Sequence, residues 1–270
     1  LRLSEKWNGL SQLQYLHTLK QSKVNLSTIL SELAKKVLAQ KPLMALIGEQ
    51  REIDLAKKKI ELEKIDESGV IEIDFTNKKD MAIATDTDVS FCSEALKTVK
   101  MGHADAPALL VMSKLLGRGY LHNEIREKGG AYGGYARYDL EEGVWYFASY
   151  RDPHIKRTFD VYKKARSFAQ NNVFSQEEVE NAIIMCIGDM EKPNAPVEAA
   201  RKAFARYIID LDDQTRQEFK DKLLSLKSEN ITEVAKKYLS EDNKGHRAVI
   251  SNKEKIDAAS DEMGFEVEKI

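Results

Sequence analysis

Between Gly117 and Ala136 the chain reads GRGYLHNEIREKGGAYGGYA, and Gly129, Gly130, Gly133 and Gly134 place four of its 14 glycines within six positions. Glycine serves where the backbone takes φ > 0 or where another group must approach it closely. The cluster lies between an apolar, helix-like run ending near Leu116 and an alternating aromatic run that follows Gly134. That placement is compatible with a tight turn from a helix into a strand. An Arg, a Glu, a Lys and two Tyr stand beside these glycines, so the residues alone leave two readings open: a structural turn, or a site.

The pattern on both sides of this pivot sets the fold class. Upstream, VIEIDF at 70–75 alternates as a half-buried strand does, and MAIATDTD and VSFCSEALKTV continue in β fashion with Val89, Phe91, Ala95 and Val99 as apolar anchors. In APALLVMSKLLGRG, Pro107 suits a first helical turn, and Leu110, Val111, Leu115 and Leu116 form a core face. Downstream, YGGYARYDL and GVWYFASYRD read as strands joined by a hairpin loop over 139–143. From 154 the pattern is mainly helical. Ser175 with Glu178 and Asn230 with Glu233 form capping-box signatures, Pro196 opens a helix, 246–251 is a last strand and KEKIDAASDEMG a last helix. Strands gathered early and helices late predict an α+β fold, a mixed or antiparallel sheet with helices packed on one face.

Before residue 70 the organisation differs. Leu10, Leu13 and Leu16 recur at helical spacing, as do Leu26, Ile29, Leu30, Leu33 and Val37, with Asn25 or Ser27 as the cap of the second helix and Pro42 as its stop. LMALIG at 43–48 reads as a buried strand. A charge-dominated stretch over 49–67 predicts an exposed helix and then a connector. The division that follows makes 1–55 the C-terminal part of a preceding α+β domain, 56–68 a charged helix or linker, and 69–270 a complete α+β domain.

Composition excludes several classes of function. With 42 Lys and Arg against 44 Asp and Glu, a net charge of −2 gives no footprint for nucleic acid. Mean hydropathy is −0.47 and no apolar run approaches a membrane span, so no membrane insertion is expected. The start, LRLSEKWNGLSQ, has neither Met nor a signal-like segment and reads as lying inside a longer protein. Cys92 and Cys186, the two cysteines, read as buried small hydrophobes in a reducing compartment. None of the five histidines forms an HxxEH or HExxH pair, and His122 with Glu124 lacks a second His. GxSxG, Walker and dinucleotide loops are absent as well. What the glycine-rich stretch can do unaided is bind. Arg126 can hold a carbonyl or carboxylate through two donors, and Tyr132 offers a neutral hydroxyl. Either can stabilise charge developing on a carbonyl oxygen, while the glycines let an extended peptide approach the next strand.

In GYLHNEIREKGGAYGG at 119–134, with DAPALLVMSKLLGRG before it and SQEEVENAIIMCIGDME after it, the sequence resembles the pitrilysin/insulinase family of inverzincin metallopeptidases, in particular its presequence-protease-like branch. Members of that family have two homologous halves of two α+β domains each, closing around a peptide-holding chamber. The resemblance implies that this chain is similar to the C-terminal half, which supplies an Arg and a Tyr to the substrate near the scissile bond. Arg126 and Tyr132 correspond to that pair, with Gly129, Gly130, Gly133 and Gly134 as substrate-binding backbone. It further implies a zinc endopeptidase of short unfolded peptides whose zinc lies on the N-terminal catalytic half of the same polypeptide. These residues alone would then bind no zinc and cleave nothing. Bacterial cytoplasm and the lumen of a mitochondrion or plastid both fit such relatives. The alternative is a non-catalytic structural or interaction subunit related to the same family.

Overall fold

The structure is a computed structural model, and its described residues are 9–22, 24–39, 43–60 and 80–269. They fall into two compact units, one formed by the described residues up to 60 together with 193–211, the other by 80–192 with 212–269. The strand expected over 70–75 and the stop at Pro42 lie outside the described residues.

The first unit is helical: α1 (Leu10–Gln21), α2 (Leu26–Leu38), α3 (Gln50–Lys59) and the later helix α7 (Pro196–Ile208). Asn25 caps α2 by accepting from the amides of Ser27 and Thr28, which resolves the choice between Asn25 and Ser27. The buried strand expected over 43–48 is not there. Residues 43–47 have no regular structure and are mostly exposed, with Leu43 at 43% and Ile47 at 49%. Neither α2, α3 nor α7 buries a residue, so α2 carries Leu30, Leu33 and Val37 on its surface. Sequence pattern assigned everything from 69 onward to one domain, whereas α7 groups with this first unit.

The second unit is built on a six-stranded sheet of β1 (Met81–Ala84), β2 (Phe91–Lys97), β3 (Gly133–Asp139), β4 (Val144–Tyr150), β5 (His246–Ser251) and β6 (Glu266–Lys269), in the order β3-β4-β2-β5-β1-β6. β1 runs parallel to β5 and β6, and the other pairs are antiparallel, which makes the sheet mixed. Around it lie α4 (Ala106–Leu115), a π-helix over Leu116–Glu127, α5 (Lys156–Asn171), α6 (Gln176–Met190), α8 (Asp213–Leu224), α9 (Ser228–Tyr238) and α10 (Lys253–Met263). The predicted α+β architecture, with helices on one sheet face, is the one found. Strands β2 and β4 alternate in burial along their length. Trp145 and Phe147 from β4 are fully buried, and Phe147 stacks on Tyr162 of α5 at 5.3 Å between ring centres.

Two local expectations change. In β2 the helix-facing residues are Cys92, Glu94 and Leu96, one residue out of step with Phe91 and Ala95, which face the other way and are only half buried. Asn230 does not cap α9 from outside. It sits inside the helix, and its side chain accepts from the amide of Lys227, the N-cap residue. The Ser175–Glu178 capping box at α6 forms as predicted. Both cysteines are buried and free, and burial pushes each thiol up to about 12, which keeps them unreactive.

Glu94 on the core face needs a partner, and Arg166 of α5 is that partner. Its Nη1 donates to Glu94 Oε1 at 2.8 Å, its Nε to the Leu239 carbonyl at 3.1 Å, and Nη2 to the carbonyls of Ser240 and Asn243. One guanidinium thus ties β2, α5 and the α9–β5 connection together. Burial raises the Glu94 carboxyl above its usual value, and Arg166 pulls it back only in part. Arg166→Ala should therefore cost about 3–5 kcal/mol, because it strands a buried carboxylate. Urea unfolding checks this. A Glu94→Leu/Arg166→Leu double variant should recover part of the loss, and only part, since three carbonyls still lose a bond from Arg166 and those of Leu239 and Ser240 keep only their bonds from Gln170 and the Asn243 amide.

Candidate functional site

The sequence anticipated a short charged segment between Gly117 and the glycine cluster. What stands there is a π-helix running from the end of α4 to Glu127. Its buried residues are Leu116, Leu121 and Ile125, spaced five and four apart. At 3.6 residues per turn Leu116 and Ile125 would fall on opposite sides of a helix. The wider i→i+5 winding brings all three to one face, and the Lys128 amide closes it with a bond to the Asn123 carbonyl at 2.9 Å. The opposite face is exposed and carries His122 and Arg126.

The glycine cluster ends this helix and starts β3. A Cβ on Gly129 would lie 2.4 Å from the carbonyl oxygen of Ile125, so no larger residue fits without moving backbone. Gly130 holds φ +75, the left-handed conformation that lets the amides of Gly130 and Ala131 bond back to the carbonyls of Arg126 and Ile125. Gly133 lies under the Tyr135 ring and Gly134 against the Ile125 side chain. Of the four glycines, only Gly130 is exposed.

This turn sets Arg126 and Tyr132 side by side. The Arg126 guanidinium lies 5.7 Å from the centre of the Tyr132 ring, and Tyr132 is 63% exposed. Among the described residues Arg126 forms no ion pair, and no side-chain hydrogen bond engages the Tyr132 hydroxyl. A purely structural role would have tied the guanidinium to a surface carboxylate and buried the ring, and neither is seen. Backbone bonds fix Tyr132 instead: its amide donates to the carbonyls of Tyr150 at 3.1 Å and Arg151 at 3.4 Å.

Sequence reasoning missed the neighbours. Tyr150 packs edge-on against Tyr132 at 5.8 Å and Phe91 against Tyr150 at 5.3 Å, an aromatic row across β2, β4 and the start of β3 on the sheet face that the helices leave open. The signal was present in the alternation of β4, where Tyr146, Ala148 and Tyr150 oppose the buried Trp145, Phe147 and Ser149. Arg151, which follows, takes φ 50, a strained value for a residue with a side chain.

The donor set does not suit zinc. His122 stands 3.8 Å from Glu127, Glu124 is held by Lys128, and His103 faces Asp105. Among the described residues no three His, Cys, Asp or Glu converge as metal ligands. Nor, among these residues, is any helix long and apolar enough to cross a membrane.

The family described as the PreP C-terminal domain matches residues 80–254, which include the π-helix, the glycine turn and five of the six strands. The chain belongs to that family. Presequence protease 1, chloroplastic/mitochondrial, of Arabidopsis thaliana is 28% identical over 99% of this chain and 26% of its own length. The chain spans about a quarter or less of the curated relatives it matches. Among solved structures, a protease from Helicobacter pylori superposes with a TM-score of 0.60 at 21% identity, covering 76% of this chain and 53% of that one. A peptidase M16 inactive domain from Pseudomonas fluorescens gives a TM-score of 0.54 at 16% identity over 68% of this chain and 46% of its own. At such identities these two likenesses concern the fold. The family match makes the chain presequence-protease-like in its C-terminal domain.

The tightness of the glycine turn is directly testable. Gly129→Ala should destabilise the second unit by about 1–3 kcal/mol through overpacking against the Ile125 carbonyl. Gly188→Ala, at a helix position where a Cβ meets nothing within 4 Å, should be neutral or slightly stabilising in the same thermal or urea melts.

Proposed function

We propose that this chain is the substrate-gripping, C-terminal part of a zinc-dependent endopeptidase that degrades short unfolded peptides in a closed chamber. The observation that carries this reading is the exposed pair of Arg126 and Tyr132, adjacent to each other and held in place from the backbone side. Arg126 donates two N–H groups to a substrate carbonyl, and Tyr132 donates its hydroxyl to the oxygen on which charge develops at the scissile bond. Gly130 keeps the surface beside the pair low, while Gly129, Gly133 and Gly134 allow the helix end and the strand to close up beneath the bound backbone. Among the described residues β3 is an edge strand of the sheet, so an extended peptide can lie along it. Zinc and the general base belong to a catalytic half of the same polypeptide on residues outside this chain. The names of the relatives place them in mitochondria or chloroplasts, and such an organelle lumen, with bacterial cytoplasm as the other setting, is the proposed compartment.

A second reading, a non-catalytic interaction subunit of the same family, draws on the apolar surface of α2, where Leu30, Leu33 and Val37 are exposed. Such a subunit has no need of a free Arg beside a free Tyr. In a polypeptide that joins this chain to its catalytic half, Arg126→Ala and Tyr132→Phe should each lower kcat by roughly a hundredfold, with a smaller change in substrate affinity. Steady-state kinetics on a quenched-fluorescence peptide read both quantities, and unchanged turnover in both variants would sink the peptidase assignment of the pair. The chain by itself should hold no stoichiometric zinc by mass spectrometry and cleave no peptide. Tight zinc binding here would contradict the half-enzyme reading.

A further inference from the structure

Beside the glycine turn, and unused by the proposed carbonyl contacts, lies a pocket of about 260 Å³ lined by Pro153, His154, Lys156, Arg157 and Lys255, with Ala258 and Ala259 as part of its apolar wall. Its cations come mostly from one short segment, RDPHIKR at 151–157. The segment is held rigidly. Asp152 is 1% exposed, exchanges two backbone hydrogen bonds with Ser90 at 2.7 and 2.8 Å, and its carboxylate accepts from the His154 amide at 2.9 Å and the Thr158 hydroxyl at 2.7 Å. That anchoring sustains the positive φ of Arg151. The charge of the pocket is only partly compensated. Lys156 pairs with Glu262, but Lys255 is bonded to the Asp88 carbonyl at 2.6 Å, which leaves its charge intact, and among the described residues Arg157 and His154 have no ionic partner. Asp160, one turn along α5, adds a negative charge that acts on Lys156, while the buried Asp152 carboxylate has already made its two bonds. The pocket is next to the gripping pair. Pro153 Cγ lies 3.9 Å from where a Cβ on Gly130 would be, and the Arg151 carbonyl takes the Tyr132 amide.

We infer that this pocket is a carboxylate subsite, which receives an anionic group of a peptide whose backbone is held by Arg126 and Tyr132. The inference rests on the proposed peptide-binding reading of that pair. A peptide can offer one carboxylate at its C-terminus and others on Asp and Glu side chains. A guanidinium and an ammonium on a rim whose backbone is anchored suit either, because Arg157 can bind both carboxylate oxygens and Lys255 is already held by the Asp88 carbonyl.

The test is anisotropy titration of the 270-residue chain with three forms of one labelled, unstructured peptide: a free C-terminal acid, the same peptide amidated and without acidic residues, and the amide with one internal Glu. At low salt the free acid should bind about tenfold tighter than the acid-free amide. A gain with the internal Glu form identifies side-chain carboxylates as a source, and a gain with the free acid identifies the terminus. Either gain supports the subsite if it collapses in Arg157→Ala/Lys255→Ala and survives in Arg157→Lys. Equal binding of all three forms, no binding of any, or a preference that persists in the double variant overturns it. Arg126→Ala separates this from the parent reading. It should weaken all three forms alike and keep the acid preference. If instead it changes no affinity while the preference still depends on Arg157 and Lys255, the gripping pair fails and the subsite stands.

Discussion

The position of Ile125 is the constraint on which the site depends. Its carbonyl oxygen leaves no room for a Cβ on Gly129, its side chain leaves none on Gly134, and it accepts the amide of Ala131. The end of the π-helix can therefore close onto the first residues of β3 only if both neighbours are glycine. That closure fixes the next residue on each side. Arg126 follows Ile125 on the outward face of the helix, and Tyr132 precedes the strand with its amide pinned to β4. Two side chains six positions apart are thereby brought together. A close-packed interior transmits such positioning because it has few ways to relax.

Much of this was legible in the sequence. The α+β class, the hairpin of β3 and β4, the capping box at α6 and the candidate pair follow from period, turn chemistry and motif. The losses have physical causes. In β2, alternation alone could not choose a face, because both parities of FCSEALK carry apolar residues, and Glu94 argued for the wrong one. A carboxylate can occupy the core face there because Arg166 reaches it from α5, 72 residues later, and no local pattern reports such a partner. The π-helix was missed for a related reason. Its buried residues are spaced five and four apart, so a search at three and four finds no face. LMALIG at 43–48 is apolar enough for a strand, but an apolar run states only that burial is available. Without pairing strands among its described neighbours it stays irregular and largely exposed.

The open face of the sheet was hidden by the same ambiguity. Tyr132, Tyr150 and Phe91 come from three separate stretches of sequence, and only the antiparallel registers that set Gly133 opposite Tyr150 and Ser93 opposite Ala148 gather them. Aromatic rings left on a surface retain a cost of exposure that a bound chain would relieve, so under the proposed function the row would serve as an apolar floor beside Arg126 and Tyr132.

Two arginines of the same domain show why composition cannot identify a site. Arg166 spends its guanidinium on Glu94 and three carbonyls, and removing it dismantles a junction. Among the described residues Arg126 has only the face of Tyr132, a contact worth about 0.5–1 kcal/mol at an exposed position. The weakness of that contact is what suits it to binding. A charge already committed to a buried partner would have to break several kcal/mol of interaction before it could serve a substrate, whereas one resting on an aromatic ring turns to an incoming carbonyl at little cost. The ring also limits the orientations the guanidinium explores beforehand, so under the proposed function less entropy would be lost on binding a peptide.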